Sequence, residues 1–146
     1  MQLTTHTDYA LRTLIALGLC APGKMTASEV GNAYNISTHH VLKIIQRLSE
    51  LGYVETLRGK AGGVRLALPP EQIVVGKVVR ELETDLGVVA CLKAGGEPCA
   101  IDGACRLRGA LSAATTAFLA VLDSYTLADV LRPRAKLVQL LALGPN

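Results

Sequence analysis

Ser37-Thr38-His39-His40-Val41-Leu42-Lys43-Ile44-Ile45-Gln46-Arg47-Leu48-Ser49-Glu50-Leu51-Gly52 runs directly into Tyr53-Val54-Glu55-Thr56-Leu57-Arg58-Gly59-Lys60-Ala61-Gly62-Gly63-Val64-Arg65-Leu66-Ala67-Leu68, and this stretch decides the fold. Ser37 is a good N-cap, because its hydroxyl can accept one of the backbone N–H groups left orphaned at a helix start. The helix it opens is predicted over residues 38–51, with Val41, Leu42, Ile44 or Ile45, and Leu48 as the buried face. Gly52 supplies the C-terminal stop. The pattern then changes to a strand-like run at residues 53–58, a Gly-rich tip at 59–63 and a return strand at 64–68.

Upstream, Thr26 or Ser28 can cap a short helix that runs through Val30 to Tyr34, and Asn35-Ile36 is the turn between it and Ser37. Leu3, Ala10, Leu11, Leu14, Ile15 and Leu17 mark an earlier helix ending near Cys20. Two helices joined by so short a turn, followed by a two-stranded hairpin, predict a winged helix-turn-helix over residues 1–70. Pro69-Pro70 closes that domain. Residues 71–104 are expected to hold a linking helix over about 75–84 and a Cys-rich loop. Residues 105–146 are expected to form a long helix and a C-terminal tail. The fold class expected is therefore mostly α with a small β-hairpin wing. Leu107, Leu111, Ala114, Phe118, Val121 and Tyr125 recur as a heptad seam, which suits a helix pairing with its twin in a homodimer. Thr126-Leu127-Ala128-Asp129 resembles a capping box and starts another short helix.

Charge separates the two halves of the 146-residue chain. Residues 1–70 hold seven Lys/Arg against four Asp/Glu, whereas residues 71–146 hold eight of each, so the whole net charge of +3 lies in the first half. That is where a polyanion would be met. In a helix-turn-helix the first turn of the second helix faces base edges in the major groove. Ser37, Thr38, His39, His40 and Lys43 occupy that position. Arg58, Lys60 and Arg65 surround the glycines of the tip, where they can contact phosphate or enter the minor groove. These eight residues are the expected DNA contacts, on a double-stranded, pseudo-palindromic operator.

Cys91, Cys99 and Cys105 crowd one loop with gaps of seven and five residues. The spacing matches neither the short pairs of structural zinc sites nor ferredoxin-type runs. Three thiolates could serve zinc, an iron–sulfur cluster or copper. No stretch approaches the roughly 20 apolar residues of a membrane span. Met1 to His6 lacks the basic and apolar regions of an export signal, so a cytoplasmic location is expected. In that reducing setting clustered cysteines point to metal or redox chemistry rather than disulfides. Cys20 stands apart and is expected to be a small buried hydrophobe. There is no nucleophile–base constellation and no phosphate loop in a strand-to-helix context, so catalysis is not expected.

Five segments together resemble the Rrf2 family of winged-helix regulators over nearly the whole chain. They are Met1-Gln2-Leu3-Thr4 with Thr7-Asp8-Tyr9-Ala10-Leu11-Arg12; Leu57-Arg58-Gly59-Lys60-Ala61-Gly62-Gly63-Val64-Arg65-Leu66; Val78-Val79-Arg80-Glu81-Leu82-Glu83; Cys99 to Cys105 with Arg106-Leu107; and Tyr125-Thr126-Leu127-Ala128-Asp129. The likeness is greatest to the family's nitric-oxide-sensing repressors. It implies a homodimer with one iron–sulfur cluster per subunit, 4Fe-4S with 2Fe-2S as the alternative, held by Cys91, Cys99 and Cys105. It further implies that a carboxylate near the N-terminus of the second subunit, here Asp8, completes the coordination; Glu97 and Asp102 are competitors. Cluster-assembly regulators of the family use a His three residues beyond the last Cys, where this chain has Arg108. That departure favours a repressor that senses nitric oxide and releases its operator when the cluster is nitrosylated. The alternatives are a regulator of cluster supply or redox state and, from another class, a small metal-binding or electron-transfer protein.

Overall fold

The N-terminal helix begins where Thr4 accepts the backbone N–H of Thr7, and α1 then runs Thr5–Cys20. The structure, a computed structural model, describes residues 2–59, 62–97 and 99–143. Helix α2 spans Ala27–Tyr34, and it is Thr26 that caps it: Thr26 accepts from the Glu29 amide while the Glu29 carboxylate takes the Thr26 N–H at 2.7 Å. These bonds, the backbone one foremost, lower the pKa of Glu29. Asn35 ends the helix in the left-handed conformation, φ 54°, which Asn tolerates because its short amide bonds locally. Ser37 accepts from the His40 N–H, as expected of an N-cap, and α3 spans Thr38–Glu50 before Gly52 turns the chain with φ +79°.

Val41, Ile44, Ile45 and Leu48 form the buried face of α3. The expectation for Leu42 is corrected here: it is 54% exposed, and Ile44 and Ile45 are both buried in its stead. The hydrophobic stripe runs between positions 41, 45 and 48 on one side and 44 on the other, leaving position 42 outside. The wing consists of β1 (Val54–Leu57) and β2 (Gly63–Leu66), antiparallel, with Val54 opposite Leu66 and Leu57 opposite Gly63. Both strands are shorter than the sequence runs suggest. Met25 adds a bridge to Val64 through bonds of 3.0 and 2.8 Å, which anchors the wing to the connection between α1 and α2.

After a 3₁₀ turn at Pro70–Gln72 come α4 (Val75–Leu82), 3₁₀ turns at Ala90–Leu92 and Asp102–Ala104, and α5 (Arg106–Asp123). The chain ends with α6 (Leu127–Val130) and α7 (Arg134–Leu140). One core joins both halves: Leu14, Val41, Leu48 and Val64 share it with Ile73, Val78, Leu82, Leu127 and Leu131. The Leu127 N–H donates to the Ile73 carbonyl at 2.8 Å, and Thr126 and Asp129 form the expected capping box. Arg134 donates to the carbonyls of Gly18, Leu19 and Ala21, satisfying the orphan acceptors at the end of α1. Helix α5 differs from all this. None of its residues is buried, and Leu107 (65%), Val121 (59%) and Tyr125 just beyond it (48%) present apolar surface to solvent. Among the described residues no helix is long and apolar enough to cross a membrane.

Candidate nucleic-acid interface and cysteine loop

Because α3 buries Val41, Ile44, Ile45 and Leu48, its outward face carries Thr38, His39, Leu42, Lys43 and Gln46, all exposed. Ser37 and His40 are exposed at the same end, and Ser37 is also the cap, so its hydroxyl is engaged by the His40 amide at 3.3 Å. His40 lies beside Tyr9 of α1, ring centroids 6.3 Å apart, and the Arg12 guanidinium stands 6.0 Å from the Tyr9 ring and 5.9 Å from that of Tyr34. Tyr9, with Arg12 over its ring, thus stands beside the start of α3, a proximity that helix periodicity cannot show. Leu42 and Gln46 are further members of the outward face that the expected contacts omit. Counting one turn on from Leu42 and two from Thr38 finds Gln46.

On the wing, Arg58 is exposed at the end of β1. Arg65 is exposed too, but its guanidinium bonds Glu55 directly across the ladder at 2.6 Å. Such a surface pair is worth roughly 0–1 kcal/mol, so a phosphate can compete for Arg65. Lys60, the third expected wing cation, lies outside the described residues. The base of the wing is fixed to α4: the buried Tyr53 donates its hydroxyl to Glu81 at 2.5 Å. Burial first, then the bond to Glu81, push the Tyr53 hydroxyl well above its ordinary pKa. Arg47 at the end of α3 reaches the Glu81 carbonyl at 3.5 Å, and Lys77 faces the same residue's carboxylate at 3.9 Å. Glu81 therefore gathers the second helix of the motif, the wing and α4. Just beyond it, Glu83 accepts from the N–H and hydroxyl of Thr4 at 2.8 and 3.0 Å, tying the start of α1 to the end of α4.

The residue of α4 neighbouring Glu81 holds the helix to α5. Arg80 and Asp123 form a bidentate pair with both bonds at 2.5 Å, and the Arg80 bonds hold the Asp123 carboxyl below its usual range. At its other end α5 is capped by Cys105, whose sulfur accepts from the Arg108 N–H at 3.4 Å. Cys91 lies in the 3₁₀ turn Ala90–Leu92, and Cys99 is exposed just before Ala100. None of the four cysteines is in a disulfide. Cys20 is half-buried rather than buried, because its thiol reaches out to the Lys24 carbonyl at 3.4 Å.

The candidate fourth ligands are placed differently. Asp8, in the first turn of α1, has both carboxylate oxygens on Arg12, at 3.0 and 2.9 Å. Asp102 is ion-paired with Arg108, which stands three residues beyond Cys105. Glu97 is exposed. Among the described residues no three of these donors surround one point in the single chain. The donor set itself, three soft thiols on one excursion and none of them in a disulfide, has the chemistry an iron–sulfur cluster requires.

A profile of the Rrf2 family, described as iron-dependent transcriptional regulators, matches residues 3–133. The chain is 51% identical over 142 residues to the HTH-type transcriptional regulator NsrR of Geobacillus kaustophilus (strain HTA426), covering 97% of each chain. It is 44% identical over 144 residues to the NsrR of Bacillus subtilis (strain 168), covering 98% of this chain and 99% of that one. Among solved structures, T. potens IscR matches with a TM-score of 0.72 over 100% of this chain and 93% of its own, at 22% identity, a likeness of fold.

Proposed function

The chain belongs to the Rrf2 family of transcriptional regulators, and from that premise we propose that it is a homodimeric, cytoplasmic DNA-binding repressor whose hold on its operator depends on an iron–sulfur cluster and is released by nitric oxide. One observation carries the reading: the thiol loop ends as the cap of α5, and bonded pairs continue from there to the DNA-facing elements. Arg80–Asp123 joins α5 to α4, and Glu81 joins α4 to Tyr53 of the wing and Arg47 of α3. This contiguous set of contacts supports a coupling of the loop to the elements that read DNA.

Cys91, Cys99 and Cys105 would hold the cluster, with Asp8 of a second copy as the fourth ligand. Bound there, the cluster supplies an iron whose carboxylate ligand is more exchangeable than its thiolates, and so open to a diatomic molecule. The chain's own residues do the rest. Arg12 holds the Asp8 carboxylate in the single chain, and Tyr9, over whose ring Arg12 lies, stands against His40 at the start of α3. Thr38, His39, His40 and Lys43 face the major groove, with Ser37 capping; Arg58, Lys60 and Arg65 take phosphates or the minor groove. The exposed seam from Leu107 to Tyr125 pairs with its twin, which removes from water the apolar surface that α5 leaves uncovered. The alternative of a cluster-supply regulator is disfavoured by Arg108, a cation engaged by Asp102 where that reading needs an imidazole.

Anaerobic purification of variants tests the ligand set. Serine at Cys91, Cys99 and Cys105 together is expected to abolish the visible absorbance, and Asp8→Ala to leave a more labile cluster than Glu97→Ala or Asp102→Ala does. Undiminished absorbance in the triple variant would sink the assignment, and unaltered lability in Asp8→Ala would move the fourth ligand elsewhere.

A further inference from the structure

The outward face of α3 is polar at both ends and apolar in the middle. Thr38 lies one turn before Leu42, Gln46 one turn after, and His39 and Lys43 beside it, all exposed. An exposed leucine is unremarkable on most surfaces. This one sits midway along a helix face otherwise made of hydrogen-bonding and cationic side chains, next to the edge of the buried stripe, and it is 54% exposed. Helix α3 packs against α1, α2 and β1 through its opposite side, so the fold leaves Leu42 uncovered. Lys43, its neighbour on the helix, adds the positive charge that fits a polyanion.

If this face enters a major groove, its central side chain meets base edges, and Leu can neither donate nor accept a hydrogen bond. Opposite a purine edge or a cytosine amine it would strip water from a polar group without replacing the bond, which costs free energy. The one apolar feature in the groove is the C5-methyl group of thymine. We infer that Leu42 is a specificity-determining residue that packs on a thymine methyl in each half-site, making T·A the required base pair at that position. The inference rests on the DNA-reading role given above to the start of α3. It adds a residue type and a base preference which that role does not contain.

The test begins with selection of duplexes by the full-length protein from a random library, followed by replacement of each thymine of the selected site by deoxyuridine, which removes only the methyl. One position per half-site is expected to weaken binding about four-fold, the equivalent of one buried methyl group. Leu42→Ala should bind the thymine and uracil duplexes equally, and Leu42→Met, which keeps an apolar reach, should restore most of the difference. Alanine at an exposed position of a helix favours folding, so the variant remains measurable. Failure to select any duplex overturns the DNA-reading premise and the inference with it. A selected site on which uracil is neutral throughout, or on which Leu42→Ala still distinguishes uracil from thymine, overturns the inference alone. So does a changed oligomeric state of Leu42→Ala with its uracil sensitivity intact, which would assign Leu42 to contact with a second copy.

Discussion

Gly31 is the tightest test of how the helix-turn-helix is built. It lies inside α2, where intrinsic helix propensity favours alanine over glycine by up to about 1 kcal/mol, yet a β-carbon there would stand 2.6 Å from the Ile36 carbonyl oxygen. That oxygen is backbone and cannot swing aside. Ile36 is also fixed by its own N–H, which donates to the Gly31 carbonyl at 2.8 Å, and by a side chain only 7% exposed. Overpacking of this kind costs roughly 1–3 kcal/mol, and the rigid neighbour places Gly31→Ala in the upper part of that range. After the propensity gain the net loss is about 1–2 kcal/mol, or roughly 3–6 °C in Tm for a chain of this size. Gly109 supplies the control: it lies in α5 with nothing within 4 Å of an added β-carbon. It also falls off the seam of Leu107 and Leu111, so Gly109→Ala should gain up to about 1 kcal/mol. Urea denaturation of both variants at one protein concentration and in one cluster state reads the difference. Operator binding by Gly31→Ala should weaken as well, because relief of the clash opens the turn that aims α3. A Gly31→Ala variant as stable as Gly109→Ala would show that the Ile36 carbonyl does not hold the turn closed.

Arg58→Ala is expected to weaken binding similarly across DNA sequences and to flatten the salt slope by about one unit; an unchanged slope in salt titrations removes Arg58 from the phosphate contacts. Leu107→Glu combined with Val121→Glu should raise the dimer dissociation constant by at least about a hundred-fold, since each side chain is worth roughly 1.5–3 kcal/mol when buried, and sedimentation at micromolar concentration would then show monomer. Stability should respond to acid through Glu29, Asp123 and Asp129, whose folded pKa values lie below the ordinary 4.5, 3.8 and 3.8 because Thr26, Arg80 and Thr126 bond their carboxylates. The folded state binds these protons less readily than the unfolded one, so their stabilisation is complete above those ordinary values and disappears as pH falls through the lower folded-state values. The urea midpoint should therefore decline below about pH 4, and Asp123→Asn should make that decline shallower.

The motif is legible in the sequence where local chemistry and periodicity agree. Ser37 and Gly52 bound α3, and Thr126 with Asp129 opens α6, because capping depends on side chains adjacent in sequence. Leu42 departs from its expected place for a physical reason: an apolar residue at the edge of a helical stripe fits either side of the boundary, and only the neighbouring elements decide. A choice between Ile44 and Ile45 is likewise unnecessary, since the stripe is broad enough to bury both. Contacts between distant segments leave no local signal. Arg134 on the carbonyls at the end of α1, Tyr53 on Glu81, and Arg80 on Asp123 each join residues that nothing in the intervening sequence pairs. The three cysteines stand out by their crowding, but the loop is more ordered than its glycines suggest, with two 3₁₀ turns and Cys105 as a helix cap.

If the thiol loop and the DNA-facing elements act as one unit, cluster and operator must be lost together. A nitric oxide titration of the anaerobically purified protein, with visible absorbance and operator binding followed in the same samples, reads both at once. The expected result is a brown protein that loses its absorbance and its affinity in parallel at stoichiometric nitric oxide. A colourless zinc protein that binds the operator equally well with and without nitric oxide would overturn the proposed coupling.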